Sequence, residues 1–389
     1  MSKTVLFVSE LGGGRGYVAR LCSVASIAKK LGYSTVLAKR AEAASGHIRS
    51  VGPFDRVLEG PRFPRLKYVP QIFQVAGLAA TLARVGFVDH RVVSLLLAQW
   101  QELLSRVNPN IVVGDFSPYA RLATLGRVPF LMIGSGYTLP SSRGLLPFPL
   151  SKSQGDPSQL VEHTLRETNK AVVSAGTNLI EDLSECLRGD WNAAATVPLL
   201  DPAVGRNPSE YFGPFEDFPP TQIKNITKTE LYGYMHSVTE AECNKINALT
   251  DAGYPMHLYC DGPIDGVLNS AVMLAAPLSL NQIAGKYSVV LHQGGLGLST
   301  FCLQAAVHQL LCPKHTEAFM TAQTLSAHGC GVEMNSLQDT RNKSDSVSEA
   351  LKLLENDTKK ALCHIAAETR EWIENQNWKA KLEAVFASQ

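Results

Sequence analysis

Four short stretches set glycines and polar or ionisable side chains at the end of an apolar run. That pattern can bring backbone amides close to an anion and a side chain close to a reacting bond. The first is Leu11-Gly12-Gly13-Gly14-Arg15-Gly16-Tyr17. Glycines there allow positive φ and close backbone approach. The helix that follows would offer free N–H groups and a positive dipole end to a ligand. The spacing is not Gly-x-Gly-x-x-Gly, so a dinucleotide fingerprint is not supported; the plain alternative is a tight strand-to-helix turn. The second stretch is Val112-Val113-Gly114-Asp115-Phe116-Ser117-Pro118. Asp115 ends a buried run and stands where catalytic groups gather in α/β folds. It could equally cap the next helix, as could Ser117.

The third stretch is His292-Gln293-Gly294-Gly295-Leu296-Gly297-Leu298-Ser299-Thr300, directly after Val289–Leu291. Strand, glycine turn and helix is the geometry that holds phosphate on backbone amides, with Ser299 and Thr300 as added hydroxyl donors. A bare structural elbow has the same outline. The fourth is Pro313-Lys314-His315-Thr316-Glu317-Ala318. Its polar groups suit sugar hydroxyls, while Thr316 and Glu317 also read as a helix N-cap and first-turn acid. His236 and Ser237 follow another apolar run and belong to the same group of strand ends. No two histidines stand at a metal-binding spacing with an acidic neighbour, so no metal site is expected.

The elements that must carry these groups alternate short apolar runs with longer amphipathic stretches, which argues for parallel sheets with crossover helices. In the first half the expected strands are Thr4–Val8, Thr35–Ala38, Ile111–Phe116 and Phe130–Gly134. The expected helices are Tyr17–Lys30, Pro70–Val85, Asp89–Arg106 and a long one over Ser158–Leu187. The segment Leu199–Thr227, dense in Pro, Gly and Asn, breaks the rhythm and reads as a linker. Beyond it strands are expected at Glu230–Met235, Met256–Cys260, Val272–Ala275, Ser288–His292, Gln309–Cys312 and Gly331–Met334. Helices are expected at Glu240–Ala252, Leu280–Lys286, Leu298–Val307 and Ala318–His328, with a helical tail over Asp345–Ser388 broken near Asn356. Each half reads as a doubly wound unit, and ligands bind such sheets at the carboxyl ends of the strands.

A chain of 389 residues is long enough for two domains. Its net charge of +1 carries no electrostatic footprint for nucleic acid. No apolar run reaches the length of about 18 residues needed for a transmembrane helix, and the short N-terminal run reads as a strand rather than a signal. None of the eight cysteines forms a Cys-x-x-Cys pair; free thiols in a reducing compartment, the cytoplasm, are expected.

Taken together, the motifs resemble glycosyltransferase family 1, specifically the bacterial macrolide-type UDP-glycosyltransferases of GT-B fold. The resemblance runs through FVSELGGGRGYVARL, NPNIVVGDFSPYARLATLGRVPFLMIGSGYTLP, EYFGPF and LHQGGLGLSTFCLQAAVHQLLCPKHTEAFMTAQTLSAHGCGV. It implies an α/β protein of two Rossmann-like doubly wound domains facing across a cleft. Residues 1–210 would bind the acceptor, 211–227 form the linker, 228–370 bind the nucleotide sugar, and 371–389 form a helix crossing back to the first domain. It further implies an inverting, metal-independent transfer from a nucleotide-diphosphate sugar, UDP-linked, to a small-molecule acceptor of natural product biosynthesis. The nucleotide sugar is a substrate and no cofactor is expected; a homodimer is compatible with the sequence.

The resemblance assigns Asp115 and Tyr17 to the catalytic site and Gly12, Gly13 and Gly14 to the loop at the acceptor. It assigns His292, Gln293, Gly294, Gly295, Gly297, Ser299 and Glu317 to the donor, to which His236 and Ser237 are added from their place at a strand end. The chain departs from the family where chemistry is expected. Tyr17 stands in place of the family's basic His, and Asp115 matches the Asp that orients it. A tyrosine is a poor base near neutral pH, which leaves Asp115 to act directly on a more acidic acceptor. Gln293 replaces the phosphate-contacting second His and can still donate a hydrogen bond. Leu298 replaces a Thr, Ala318 a Gln, and Ala306-Val307-His308 a Gly-Val-Pro. Two other functions stay open: a catalytically silent GT-B protein acting as a binding partner, and a non-glycosyl-transfer reaction such as epimerisation. The apolar stretch over residues 62–88 is expected either to form the acceptor surface or to pack as a helix pair.

Overall fold

The computed structural model describes residues 3–12, 15–40, 52–63, 77–145, 157–203, 205–218, 230–335, 343–355 and 359–389. The chain divides into two compact units. Unit 1 comprises Met1–Thr196, Asp201–Phe215 and Asn377–Gln389; unit 2 comprises Val197–Leu200 and Glu216–Gln376.

Unit 1 contains, in chain order, β1 (Thr4–Ser9), α1 (Arg15–Lys30), β2 (Ser34–Arg40), β3 (Arg56–Gly60), α2 (Leu78–Leu82), α3 (His90–Val107), β4 (Ile111–Asp115), α4 (Pro118–Thr124), β5 (Phe130–Gly134), α5 (Pro157–Ser174) and β6 (Trp191–Ala194). Its sheet runs β3-β2-β1-β4-β5-β6, with every pairing parallel. Strands β4 and β5 are buried at every position, as apolar strands covered on both faces by helices must be.

Unit 2 contains β7 (Leu231–Met235), α6 (Glu240–Asp251), β8 (Met256–Cys260), β9 (Val272–Met273), α7 (Leu280–Lys286), β10 (Val289–His292), α8 (Leu296–Gln304), β11 (His308–Leu311), α9 (Thr316–Ala327), β12 (Gly331–Glu333), α10 (Lys343–Glu355) and α11 (Lys359–Gln376). Its sheet runs β12-β11-β10-β7-β8-β9, again parallel throughout. Helix α12 (Trp378–Ala387) belongs to unit 1. Its Trp378, Leu382, Val385 and Phe386 join Leu21, Val24 and Ala28 of α1 and Val5, Phe7 and Val113 of the sheet in one core. Tyr33 Oη donates to Phe386 O at 2.8 Å.

Counted within each unit, the two strand orders are the same, so both halves are doubly wound, as expected. The order reverses between β1 and β4 in unit 1 and between β7 and β10 in unit 2. These are the topological switch points at which such sheets leave a crevice for ligands.

The departures have local causes. The long helix expected over Ser158–Leu187 stops at Ser174, because Gly176 takes a left-handed φ of +67°. A separate short turn of 3-10 helix follows at Leu183–Leu187, capped by Asp182 and Glu185. Strands β3 and β6 were not expected: each is short and lies at a sheet edge, and β3 is mostly exposed. Of the stretch 62–88, residues 64–76 lie outside the described residues. The remainder packs as helix on helix, with Ala79, Ala80 and Ala83 against Leu160 of α5. Among the described residues no helix is long and apolar enough to cross a membrane, and none of the eight cysteines is in a disulfide.

Candidate active site

In unit 1 the expected residues collect at the β1/β4 switch point. Parallel pairing sets Ser9 opposite Asp115, and Leu11 N–H donates to Phe116 O at 3.2 Å, tying the loop after β1 to the end of β4. Phe116 reaches this geometry with a φ of +49°, a left-handed conformation that costs a non-glycine residue about 1–2 kcal/mol. Gly12 is required to be glycine, because a Cβ there would collide with the Tyr17 ring. Gly13 and Gly14 lie outside the described residues.

Asp115 is joined to Tyr17 through Arg20. Arg20 stands one helical turn after Tyr17 on α1, a spacing that puts both side chains on one face. Its Nε donates to Asp115 Oδ2 at 2.8 Å, and its guanidinium carbon lies 4.7 Å from the centre of the Tyr17 ring. Asp115 is fully buried and the Arg20 side chain is 11% exposed. A buried carboxylate is tolerated only when paired in this way. The arrangement is therefore a Tyr17–Arg20–Asp115 chain, with Arg20 the link that sequence reasoning missed. The helical spacing of Tyr17 and Arg20 was readable; the partner 95 positions away was not.

Neither Asp115 nor Ser117 caps α4. Ser117 makes no side-chain cap; its hydroxyl lies 3.1 Å from Val8 O and 3.0 Å from Asp115 O. The cap comes from Glu10, the residue after β1. The Glu10 carboxylate accepts from Tyr119 N at 2.8 Å and Ala120 N at 3.0 Å. Burial pushes the Glu10 carboxyl up to about 8, against the pull of those two amides.

In unit 2 a second cluster occupies the β7/β10 switch point. His292 ends β10 and is 1% exposed. Gly294 N–H donates to His292 Nδ1 at 3.1 Å, so that nitrogen carries a lone pair. The proton is then on Nε2, which lies 3.0 Å from Gln309 Oε1. Burial holds the imidazole down at about 4, and the ring is neutral. His292 therefore does not face a donor, as the expectation had it; it fixes the amide of Gly294 from behind. Gly294 has a φ of +78°, and a Cβ there would come 3.0 Å from Ala318 O. The first turn of α9, which carries the half-buried Glu317, thus packs against the elbow. Gly295 is exposed with open space around it and begins α8 without a side-chain cap.

Gln293 Nε2 donates to Ser237 O at 3.2 Å, joining the ends of β10 and β7. His236 Nδ1 lies 2.6 Å from Asp261 Oδ1. The Glu216 carboxylate covers Gly297, its oxygens 3.1 and 3.3 Å from where a Cβ would be. Ser299 is fully buried within α8, because the helix turns that position inward; its hydroxyl is not presented at the elbow. The cap of α9 is His315, whose Nδ1 accepts from Ala318 N at 3.4 Å, and not Thr316. Lys314 is held by Glu242 at 2.6 Å. Among the described residues no three His, Cys, Asp or Glu side chains are grouped to hold a metal ion.

The chemistry available is clear for each unit. The unit 2 cluster is a rigid elbow followed by the uncapped N-terminus of a nine-residue helix, whose first N–H groups have no intrahelical partner and carry partial positive charge. It suits a phosphate. The unit 1 cluster offers a phenol backed by a guanidinium–carboxylate pair.

No protein-family model and no curated protein matches the chain. Solved structures do. The glycotransferase of kitacinnamycin superposes with a TM-score of 0.71 at 13% identity, over 99% of this chain and 98% of that one. The spinosyn forosaminyltransferase SpnP gives 0.67 at 16% identity over 100% of both chains. The spinosyn rhamnosyltransferase SpnG, solved in complex with thymidine diphosphate, gives 0.65 at 14% identity over 98% and 99%. SpnG has also been solved in complex with spinosyn aglycone. Over nearly its whole length the chain has the GT-B fold of these natural-product glycosyltransferases.

Proposed function

We propose that the protein transfers a glycosyl group from a nucleoside-diphosphate sugar to a small-molecule hydroxyl, with inversion and without a metal. The observation that carries this reading is the elbow at the β7/β10 switch point. There a buried neutral His292 holds the Gly294 amide, and α8 begins uncapped. The bond from the anomeric carbon to the diphosphate breaks, its electron pair leaves with the phosphate, and the acceptor oxygen, as a phenolate whose proton has gone to solvent, bonds to that carbon. The first amides of α8, which have no intrahelical partner, would stabilise the departing charge without reorganisation.

On the acceptor side, Tyr17 positions the hydroxyl, and Asp115 aids by holding Arg20 against the Tyr17 ring. The buried, ion-paired Asp115 suits this supporting role better than direct proton abstraction. Tyrosine is a weak base near neutral pH, so the reading favours acceptors that are themselves acidic, such as phenols. The donor base is taken as uracil or thymine. The resemblance implies UDP, while SpnG and VinC were solved with thymidine diphosphate.

Titration calorimetry of the full chain with UDP, dTDP, ADP and GDP tests the reading. Saturable binding of UDP or dTDP is expected, followed by sugar transfer to a phenolic acceptor from the matching nucleotide sugar. Binding of none of the four would overturn it.

A further inference from the structure

Most side chains at the unit 2 elbow are committed elsewhere. Both ring nitrogens of His292 are used internally. Gln293, at the position the resemblance gives to phosphate contact, turns its Nε2 to Ser237 O. Lys314 is pulled onto Glu242, and Ser299 is buried. A bound diphosphate would bring several negative charges to helix amides alone.

His236 is differently placed. It directly follows β7, the strand paired with β10, and the register His292↔Tyr234 sets it just beyond the level of Gln293. Gln293 is bonded to its neighbour Ser237. The His236 side chain is 72% exposed, and among the described residues only its Nδ1 is engaged, 2.6 Å from Asp261 Oδ1. Asp261 is itself fixed. It is 15% exposed, and its N–H donates to Met235 O at 3.3 Å. Gly262 lets the two strand ends meet, because a Cβ there would collide with His236 O. The dyad is therefore built into the sheet at the switch point, on the exposed side chain of a strand-end residue.

Resting on the donor-site reading above, we infer that His236, oriented by Asp261, is the cationic side-chain contact to the donor's diphosphate. As an imidazolium it donates Nδ1–H to Asp261 and Nε2–H to a phosphate oxygen. Asp261 is the positioning residue: it sets the ring plane and compensates the charge on the side away from the ligand.

The test compares UDP and dTDP with uridine and thymidine, which lack the phosphates, on the full chain and on three variants. For His236→Ala, diphosphate affinity is expected to fall about tenfold, with nucleoside affinity unchanged. For His236→Lys, which keeps a positive charge, diphosphate affinity stays within about threefold of the parent. For Asp261→Asn, diphosphate affinity falls about threefold, nucleoside affinity is unchanged, and the nitrogen-15 shift of His236 Nδ1 moves. Equal diphosphate binding by His236→Ala and the parent would overturn the inference and leave the donor site standing. So would an equal loss for nucleosides and diphosphates in that variant. No binding of either diphosphate by the parent chain would overturn both.

Discussion

His292 makes the elbow pH-sensitive in a calculable way. Its folded-state value of about 4 lies below its ordinary 6.5 because burial disfavours the charged ring. Between those values the unfolded chain binds a proton that the native chain refuses, so stability rises with pH across the window. The contribution is complete above about 6.5 and is lost as pH falls to about 4. At about 1.4 kcal/mol per pH unit, that gap is worth about 3 kcal/mol. The ring is 1% exposed, so solvent does little to screen it. For a unit of this size, such a loss lowers Tm by about 6–12 °C. Protonation would also turn an N–H toward the Gly294 N–H that now donates to Nδ1, so the elbow itself opens. The comparison is with His292→Asn, whose Oδ1 can still accept from Gly294 but does not titrate. Carboxylates elsewhere titrate in both proteins and cancel. Calorimetric unfolding at steps from pH 7.5 to 4 should show the parent losing about 3 kcal/mol more than the variant, with half the difference gone near pH 5. Parallel stability curves for the two proteins would refute the neutral-ring account of the elbow.

Other outcomes follow from the same contacts. Arg20→Ala removes the ion pair to the buried Asp115 carboxylate and should cost about 3–5 kcal/mol, whereas Asp115→Asn should cost less; denaturant unfolding of the two variants checks the order. Gly294→Ala places a Cβ 3.0 Å from Ala318 O at a φ of +78°, so nucleotide affinity and unfolding free energy should both fall, the latter by at least about 1–2 kcal/mol. Phe386→Ala empties a 1% exposed site in the core shared by α1 and α12, and should cost about 3–5 kcal/mol on thermal unfolding. Glu216→Gln removes a carboxylate lying over Gly297, where a diphosphate would meet like charge. Binding of UDP or dTDP by calorimetry should tighten several-fold, and unchanged affinity would place Glu216 outside the ligand's field.

What the amino-acid pattern made legible was governed by local physics. The strands Phe130–Gly134 and Met256–Cys260 and the helix Leu280–Lys286 fell where the apolar runs and caps put them. Buried parallel strands are near-continuous apolar runs, and Ser279 with Gln282 is a complete capping box. The glycine elbow at Gly294 was equally plain, since few residues other than glycine tolerate its φ of +78°. Non-local chemistry was not legible. The Arg20–Asp115 pair, the Glu10 cap on α4 and the His236–Asp261 dyad join residues 95, 109 and 25 positions apart. Nothing in their local sequence encodes those partners. His292 shows the same limit from the other side: its position beside the glycines was right, but only the packing around it shows that both nitrogens turn inward.

The two switch points are finished differently, and the difference bears on what each can bind. At the β1/β4 end the buried acidic groups are answered within the unit: Asp115 by Arg20, and Glu10, its carboxyl pushed up to about 8, by two helix amides. The N-terminus of α4 is thus occupied by a carboxyl group and offers no purchase to an anion. The half-buried Tyr17 stands beside Gly12 at this end, where the proposed function places a largely uncharged acceptor with a hydroxyl. At the β7/β10 end the N-terminus of α8 has no capping side chain, and the exposed His236 stands at the adjoining strand end. Although the sheet orders are the same, the helix start at one end is occupied by a carboxyl group and at the other it carries no side-chain cap. That difference is consistent with the proposed function, which puts the anionic donor at the uncapped end.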